Sequence, residues 1–484
     1  MPSARERTRD SPTCLARGRR PRVNAIPRTS PPAEEARTPC PVCSRVRPLR
    51  SLAEDASGLQ ELLQQAFPEL GSGREQLCAS CIEQLAGARA ALPEDLRDEG
   101  GKLLPILPLA VRLRATTELS GRGVTIAFLD SGFYPHPDLE KPRARIRHYE
   151  EVLRTSGGPH PPRVDVSSWH GMMTTVVCAG SGHLSRGLYR GLAHEAELVL
   201  LKVGTARRIR PQGIEAGLRW VRANHERFGI RIVNISCGAD QPIPWRRDPI
   251  CLLVEELARE GVLVVCAAGN RGHESRHQVI APASAPSALT VGGWNDGNRP
   301  GMGRARAYHS SFGPTIDGLA KPEIVAPAIW IAAPILPRTV SHELALFLEE
   351  LDRLPDEKLA PTLRAARFPE PTLAAVESAT PAVIRAAIAS LQRERKLIGG
   401  HYQHVDGTSF AAPIVSALCA WVLEARPSAS PREVKELLCA AAEPLEGLAP
   451  ERQGFGVVQP RRLLRALGRL DDLRPAITNG PSGS

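Results

Sequence analysis

Apolar residues in this chain gather into short runs that end on a polar residue and longer runs that begin near one. The run from Gly123 to Gly132, GVTIAFLDSG, has the length of a strand buried on both faces, and it stops at Asp130 before a glycine turn. Gly261 to Asn270, GVLVVCAAGN, repeats that form and ends on an amide. Between them, Ser168 to Gly180, SWHGMMTTVVCAG, predicts a helix of small and apolar residues with His170 near its start. The longest run, IVSALCAWVLEA from Ile414 to Ala425, contains no helix breaker and is halted by Arg426-Pro427, so it predicts a buried helix. Ser409, on the Asp406-Gly407-Thr408-Ser409 turn just ahead of that run, then falls in the first helical turn.

Each polar residue in this set has an ordinary explanation when taken alone. A serine on a turn is usually an N-cap, and a lone histidine on an apolar helix is usually structural. Together they mean more. Unpaired N–H groups and the helix dipole at the start of a helix favour developing negative charge. An aspartate, a histidine, an asparagine amide and a serine, each at the end or start of a regular element, are the parts an acyl-transfer site needs. Ligand chemistry in open α/β sheets lies at the carboxyl ends of the strands, where Asp130 and Asn270 are expected.

In chain order the four read Asp, His, Asn, Ser, and from about Gly121 to about Pro460 the chain resembles the subtilisin-like serine peptidases, or subtilases. The order differs from those of the chymotrypsin and α/β-hydrolase families. Further stretches carry the resemblance. His136-Pro137-Asp138-Leu139 is similar to the family's HPDL, Arg190-to-Leu198 to its RGVAPxAxL, and Ile232-to-Gly238 to its substrate-lining strand. Lys321-to-Pro327 and Gly454-to-Val458 resemble the segments that bracket the serine helix. The resemblance implies an α/β fold, a doubly wound and mostly parallel sheet flanked by helices. It also implies a serine endopeptidase in which Ser409 attacks the scissile carbonyl, His170 serves as base and then acid, and Asp130 orients the imidazole. Asn270 and the Ser409 N–H would hold the oxyanion, and the backbone at Ser236, Cys237 and Gly238 would pair with an extended protein or peptide substrate. His136 falls at a position that is structural in the family.

The chain also departs from the pattern. Where the family usually has HGTHVAG, Met172 and Met173 stand beside the histidine, an expected reshaping of the cleft. Thr205-to-Pro211 carries three arginines, which suit either acidic residues of a substrate or a solvated basic loop. No Asp-rich loop offers a calcium site.

Outside the resemblance, Cys40-Pro41-Val42-Cys43 and Cys78-Ala79-Ser80-Cys81 form two CxxC knuckles 34 residues apart, a spacing that suits a four-thiolate structural zinc, with a redox dithiol pair or disulfides as the alternatives. Four thiolates leave no open position, so no cofactor for catalysis is expected. Six of the other cysteines, Cys178, Cys237, Cys251, Cys266, Cys419 and Cys439, fall mostly in apolar runs and read as small buried hydrophobes.

The expected organisation is a disordered basic tail over 1–36, a zinc-binding module over 37–100, a peptidase domain over 101–470 and a tail over 471–484. Residues 1–36 hold eight arginines and six prolines without an apolar run, hence neither a secretory h-region nor a core. With eleven cysteines and no apolar run of membrane-spanning length, a reducing cytoplasmic compartment and no membrane are expected. Segments within 335–398, including Ser341-to-Leu351 and Pro381-to-Lys396, have helical periodicity and form a helical insertion, either surface decoration or a lid and docking site for a protein activator. The net charge of +10 permits nucleic-acid contact, but with 4% aromatic residues no stacking platform stands out. A second reading is therefore a catalytically silent subtilisin fold recruited by its zinc module to nucleic acid or a protein partner. The related Ser-Glu-Asp acid peptidases are disfavoured by the histidine motif and the asparagine-bearing strand.

Overall fold

A computed structural model describes residues 49–51, 76–78 and 106–469, apart from 114, 116–118, 155, 159–164, 186, 206–207, 299–305 and 367. At its centre stands a nine-stranded sheet. From one side, the parallel strands are Ile324–Pro327, Leu289–Asn295, Leu263–Ala267, Ile230–Ile235, Thr125–Asp130, Glu197–Lys202 and Ile146–Glu151. Arg306–Ala307 and Ser156–Gly158 add short antiparallel pairings to Leu289–Asn295 and Ile146–Glu151. A parallel sheet carries helices on both faces, so its strands are apolar throughout, and all six residues of Thr125–Asp130 are buried.

Strand alternation divides those residues between two cores. Ile126 and Phe128 join one layer with Met172 and Val176 of the Ser168–Ala179 helix and with Ile414 and Leu418 of the Thr408–Ala425 helix. Ala127 and Leu129 join the other, with Ile214 and Leu218 of Pro211–Phe228 and Val254 and Leu257 of Pro249–Arg259. Thr408–Ala425 is the one helix among the described residues apolar and long enough to cross a membrane, yet 83% of it is buried within the fold. It is a core helix.

Winding of the sheet fixes where a site can form. From Thr125–Asp130 the chain runs outward to Ile146–Glu151, returns to fill the gap with Glu197–Lys202, then crosses to the far side of the first strand with Ile230–Ile235. The direction of winding reverses at the Asp130 strand, and a crevice opens outside the carboxyl ends of strands at such a point.

Two further features border this core. Arg112, at the end of the short Leu109–Arg112 helix, is buried and donates twice to Asp296, at 2.8 Å each, and to the Ile329 and Trp330 carbonyls at 2.7 and 2.6 Å. Removing one partner of a buried pair typically costs about 3–5 kcal/mol, so this pair pins the segment entering the domain. Strands Ile331–Pro334 and Tyr402–Val405 form an antiparallel stem carrying helices Val340–Arg353, Asp356–Ala366, Pro371–Ala374 and Pro381–Glu394. These helices have a small core of their own, built from Leu344, Leu348, Leu359, Ile384 and Ile388.

Of the two CxxC knuckles, Cys40, Cys43 and Cys81 lie outside the described residues, as do the tails 1–36 and 471–484. Cys78 ends the Gln76–Cys78 strand, which pairs antiparallel with Leu49–Ser51 in the register Leu49 to Cys78. The six remaining cysteines expected as buried hydrophobes carry free thiols, four buried and Cys237 and Cys439 half-buried.

Candidate active site

Asp130 closes its strand with a side chain only 1% exposed. Its carboxylate is surrounded by donors. Oδ1 accepts from the Ser131 N–H at 2.7 Å, and both oxygens lie 2.9 Å from His170 Nδ1. An acceptor-only carboxylate there selects the tautomer with its proton on Nδ1 and leaves Nε2 as the basic nitrogen. His170 lies in the first turn of Ser168–Ala179, and the next residue has to be glycine because a Cβ at Gly171 would stand 2.2 Å from the Gly132 carbonyl oxygen. That closeness lets the helix start touch the loop leaving the Asp130 strand.

Thr174, four residues after His170 on the same helical face, reaches Asp130 Oδ2 at 3.5 Å and the Gly171 carbonyl at 3.1 Å. The sequence reading overlooked it, although its spacing from His170 was a usable signal.

Ser409 is the second residue of Thr408–Ala425, beside the Gly407 hinge at φ 144°, a left-handed value that favours glycine. Proline at position 413 has no N–H to return to the Ser409 carbonyl. That carbonyl is taken instead by the Ser236 hydroxyl, at 2.9 Å. In return the Ser409 hydroxyl donates to the Ser236 carbonyl at 3.2 Å. In this state the hydroxyl is engaged with the cleft floor and not with the imidazole. His170 is nevertheless close to the serine helix, its ring centroid 5.8 Å from that of Phe410.

Asn270 follows the Leu263–Ala267 strand and is exposed at the cleft. Its Oδ1 accepts from both the N–H and the hydroxyl of buried Thr408, each at 3.0 Å, and the Thr408 hydroxyl also accepts from the Gly269 N–H at 3.2 Å. With the carbonyl end held, the amide Nδ2 is the donor end left for a ligand. Thr408 therefore orients the asparagine from the same turn that presents the serine.

Electrostatics follow from this packing. Burial pushes the His170 imidazole down, but the Asp130 charge and hydrogen bond outweigh it and leave the pKa raised above its ordinary value. His136, by contrast, is pushed down to about 4, mainly by burial and only partly offset by Asp138. It caps the Pro137–Glu140 helix by accepting the Asp138 N–H at 3.2 Å, a structural task. Burial pushes the Cys237 thiol well above its usual range, so it is no thiolate at neutral pH.

The remaining candidates divide. Ser236 is buried and tied to Ser409, whereas Cys237 is half-buried and Gly238 exposed, so the strand emerges toward the cleft from its end. Met172 and Met173 stand where a reshaped cleft was expected. Both are buried in the main core. In the basic loop, Ala206 and Arg207 lie outside the described residues, while Arg208 pairs with Asp240 at 2.6 Å on an exposed surface.

Comparison with known proteins shows the family. The sequence model of the subtilase family matches residues 121–456. Serine protease AprX of Bacillus subtilis (strain 168) is 30% identical over 349 residues, 70% of this chain and 66% of that protein. Subtilisin BL of Lederbergia lenta is 31% identical over 212 residues, 44% of this chain and 66% of that protein. The solved structure of the Clostridium perfringens CspB protease superposes with a TM-score of 0.51 at 14% identity, over 73% of this chain and 96% of that one.

Proposed function

The chain belongs to the subtilase family of serine endopeptidases, and we propose that it hydrolyses peptide bonds of protein or peptide substrates through Ser409, His170, Asp130 and Asn270. The observation that carries this reading is the 2.9 Å contact of His170 Nδ1 with both oxygens of the buried Asp130 carboxylate. Asp130 holds the tautomer, Nε2 takes the Ser409 proton as the hydroxyl attacks the carbonyl carbon, and the same proton passes to the leaving amine. The Asn270 amide and the Ser409 N–H receive the oxyanion. Substrate enters as an extended strand beside Ser236, Cys237 and Gly238. Cleavage of a generic peptide by the purified chain, lost in Ser409→Ala, is the test.

Regulation belongs to the same proposal. Lys396, just past the last helix on the stem, pairs with Asp406 at 2.6 Å, and the other Asp406 oxygen accepts the Trp330 N–H at 3.1 Å. Tyr402 of the stem donates to Asp138 at 2.6 Å. We read residues 335–398 as an insertion that restrains the serine turn, a reading supported by the Ser409 hydroxyl resting on Ser236, away from the imidazole. Misplacement by about 1 Å can cost catalysis on the order of a hundredfold. Replacing 338–398 with a short Gly/Ser linker is expected to raise basal cleavage while circular dichroism shows the core intact. Unchanged or lower activity in the folded deletion would leave the helices without a restraining role. An activator protein would act at this same surface.

The zinc proposal rests on the knuckles at Cys40, Cys43, Cys78 and Cys81, and it is supported by the pairing that sets Leu49, six residues after Cys43, opposite Cys78. Bound there, zinc would crosslink the two segments and take no part in hydrolysis. Elemental analysis is expected to find about one zinc per chain. Stoichiometric zinc persisting after one cysteine of each knuckle is changed to serine would refute the site. A cytoplasmic location is in keeping with the free thiols of the described cysteines, and cell fractionation checks it.

A further inference from the structure

Arginines that look scattered along the sequence converge at the far end of the histidine helix from His170. Loops before Ile146–Glu151, after Ser168–Ala179 and before Glu197–Lys202 line a cavity of about 470 Å³ with Arg143, Arg145, Arg190, His183 and His194. Ser181, two residues beyond the helix end, also borders it. This places the cavity at the amino-terminal ends of the strands, away from the cleft.

One acid, Glu195, lines this cavity, and a second, Glu197, pairs with an arginine of its lining. Glu195 accepts from Arg122 at 2.8 Å and from Ser120 at 2.6 Å, bonds that hold its carboxyl down to about 2. Glu197 pairs with Arg143 through Oε1, while its buried Oε2 has no hydrogen-bond partner among the described residues. Arg145 and Arg190 have no carboxylate within ion-pairing distance among the described residues. Arg145 is only 3% exposed, and its guanidinium donates to the Asp138 carbonyl at 2.7 Å and, weakly, to the Ala196 carbonyl at 3.5 Å. Arg190 donates Nε to the Ser181 carbonyl at 3.3 Å. Burial, with the Arg143 charge behind it, lowers Arg145 to about 10 against the opposing charges of Glu197 and Asp138, so it stays cationic at neutral pH. Burial, then the Arg190 charge, lowers His194 to about 4 and keeps it neutral. A buried cation without a directly paired anion is costly, and the structure supplies a concave space on which it borders.

We propose that this cavity binds a small phosphate-type oxyanion. Guanidinium forks match the oxygens of a phosphoryl group pairwise, and two arginines without a directly paired carboxylate suit an anion of more than one negative charge, which a single carboxylate does not bring. A water occupies about 30 Å³ in the liquid, so the volume admits a phosphoryl group with a small molecule attached. The bound anion would tie together three loops, one of them following the Pro137–Glu140 helix, where the Asp138 carboxylate takes the Tyr402 hydroxyl. Its role is to stabilise the fold at that end. The site does not depend on the proteolytic reading.

The test is isothermal titration of the full chain with inorganic phosphate, pyrophosphate and glycerol 3-phosphate at fixed ionic strength. One saturable site is expected, weakened about tenfold or more in Arg190→Gln, since a lost charge-assisted contact is worth at least that factor. Arg190 is exposed, so this variant should keep its fold, as circular dichroism verifies. The arginine-rich residues 1–36 are common to both proteins and cancel in the comparison. Tighter binding of glycerol 3-phosphate identifies a phosphorylated small molecule, and tighter binding of phosphate identifies the free ion. Either supports the site. Absence of saturable binding with all three probes, or equal binding in Arg190→Gln, overturns it.

Discussion

Ser409→Ala or His170→Ala is each expected to lower kcat for peptide hydrolysis by about a millionfold, with folding unaffected. The magnitude is that of subtilisin, a relative in the same family, whose serine and histidine fail together because neither acts without the other. A neutral serine hydroxyl is a poor nucleophile near pH 7 and needs a base within reach. The Ser409 hydroxyl must also leave the Ser236 carbonyl to meet that base. In the same series Asn270→Ala is expected to cost about 10²–10³ in kcat with little change in KM, again a subtilisin magnitude, because the oxyanion exists only after attack. Proteolysis by Ser409→Ala at the wild-type rate, in a preparation free of other proteases, would remove the basis of the assignment.

Asp130→Asn is expected to lower kcat by about ten-thousandfold, as the equivalent change does in trypsin-like enzymes. An amide in place of the carboxylate has a donor end facing Nδ1, which turns the imidazole to the wrong tautomer and removes the charge that stabilises its cation. The pH profile should change with it. In the wild type, the Asp130 charge and hydrogen bond overcome the opposing effect of burial, so the imidazole holds its proton to a higher pH than an ordinary histidine. Only the neutral imidazole can act as base, so kcat/KM should fall as pH drops through that raised pKa. With the carboxylate gone, burial alone acts, and the acid limb of any residual activity should move to lower pH. A pH–rate profile unchanged in position would contradict the role given to Asp130.

The four chemical residues could be read from the chain because each sits at a boundary that local pattern reveals. Asp130 and Asn270 end apolar runs, His170 opens a small-residue helix, and Ser409 precedes the one run long enough for a central helix. What supports them was hidden, since it depends on residues far apart in sequence. Nothing near Pro413 announces that its missing N–H is made good by Ser236, 173 positions from Ser409. Likewise Thr408 needs the folded cleft to meet Asn270, 138 positions away. The sequence likewise shows that Met172 and Met173 lie beside the histidine, but only packing shows that their side chains enter the core. The converging arginines at 143, 145 and 190 come from separate loops, so no window of sequence displays them as a group.

If Ser409 is an activated nucleophile, a fluorophosphonate should react with it. Mass spectrometry of the labelled chain should find about one adduct per molecule, located on Ser409, absent from Ser409→Ala and formed more slowly below the imidazole pKa. A folded wild-type chain that takes no label at any pH, or takes it elsewhere while still cleaving peptides, would contradict the claim. The first of these outcomes would favour a silent binding protein on the same fold.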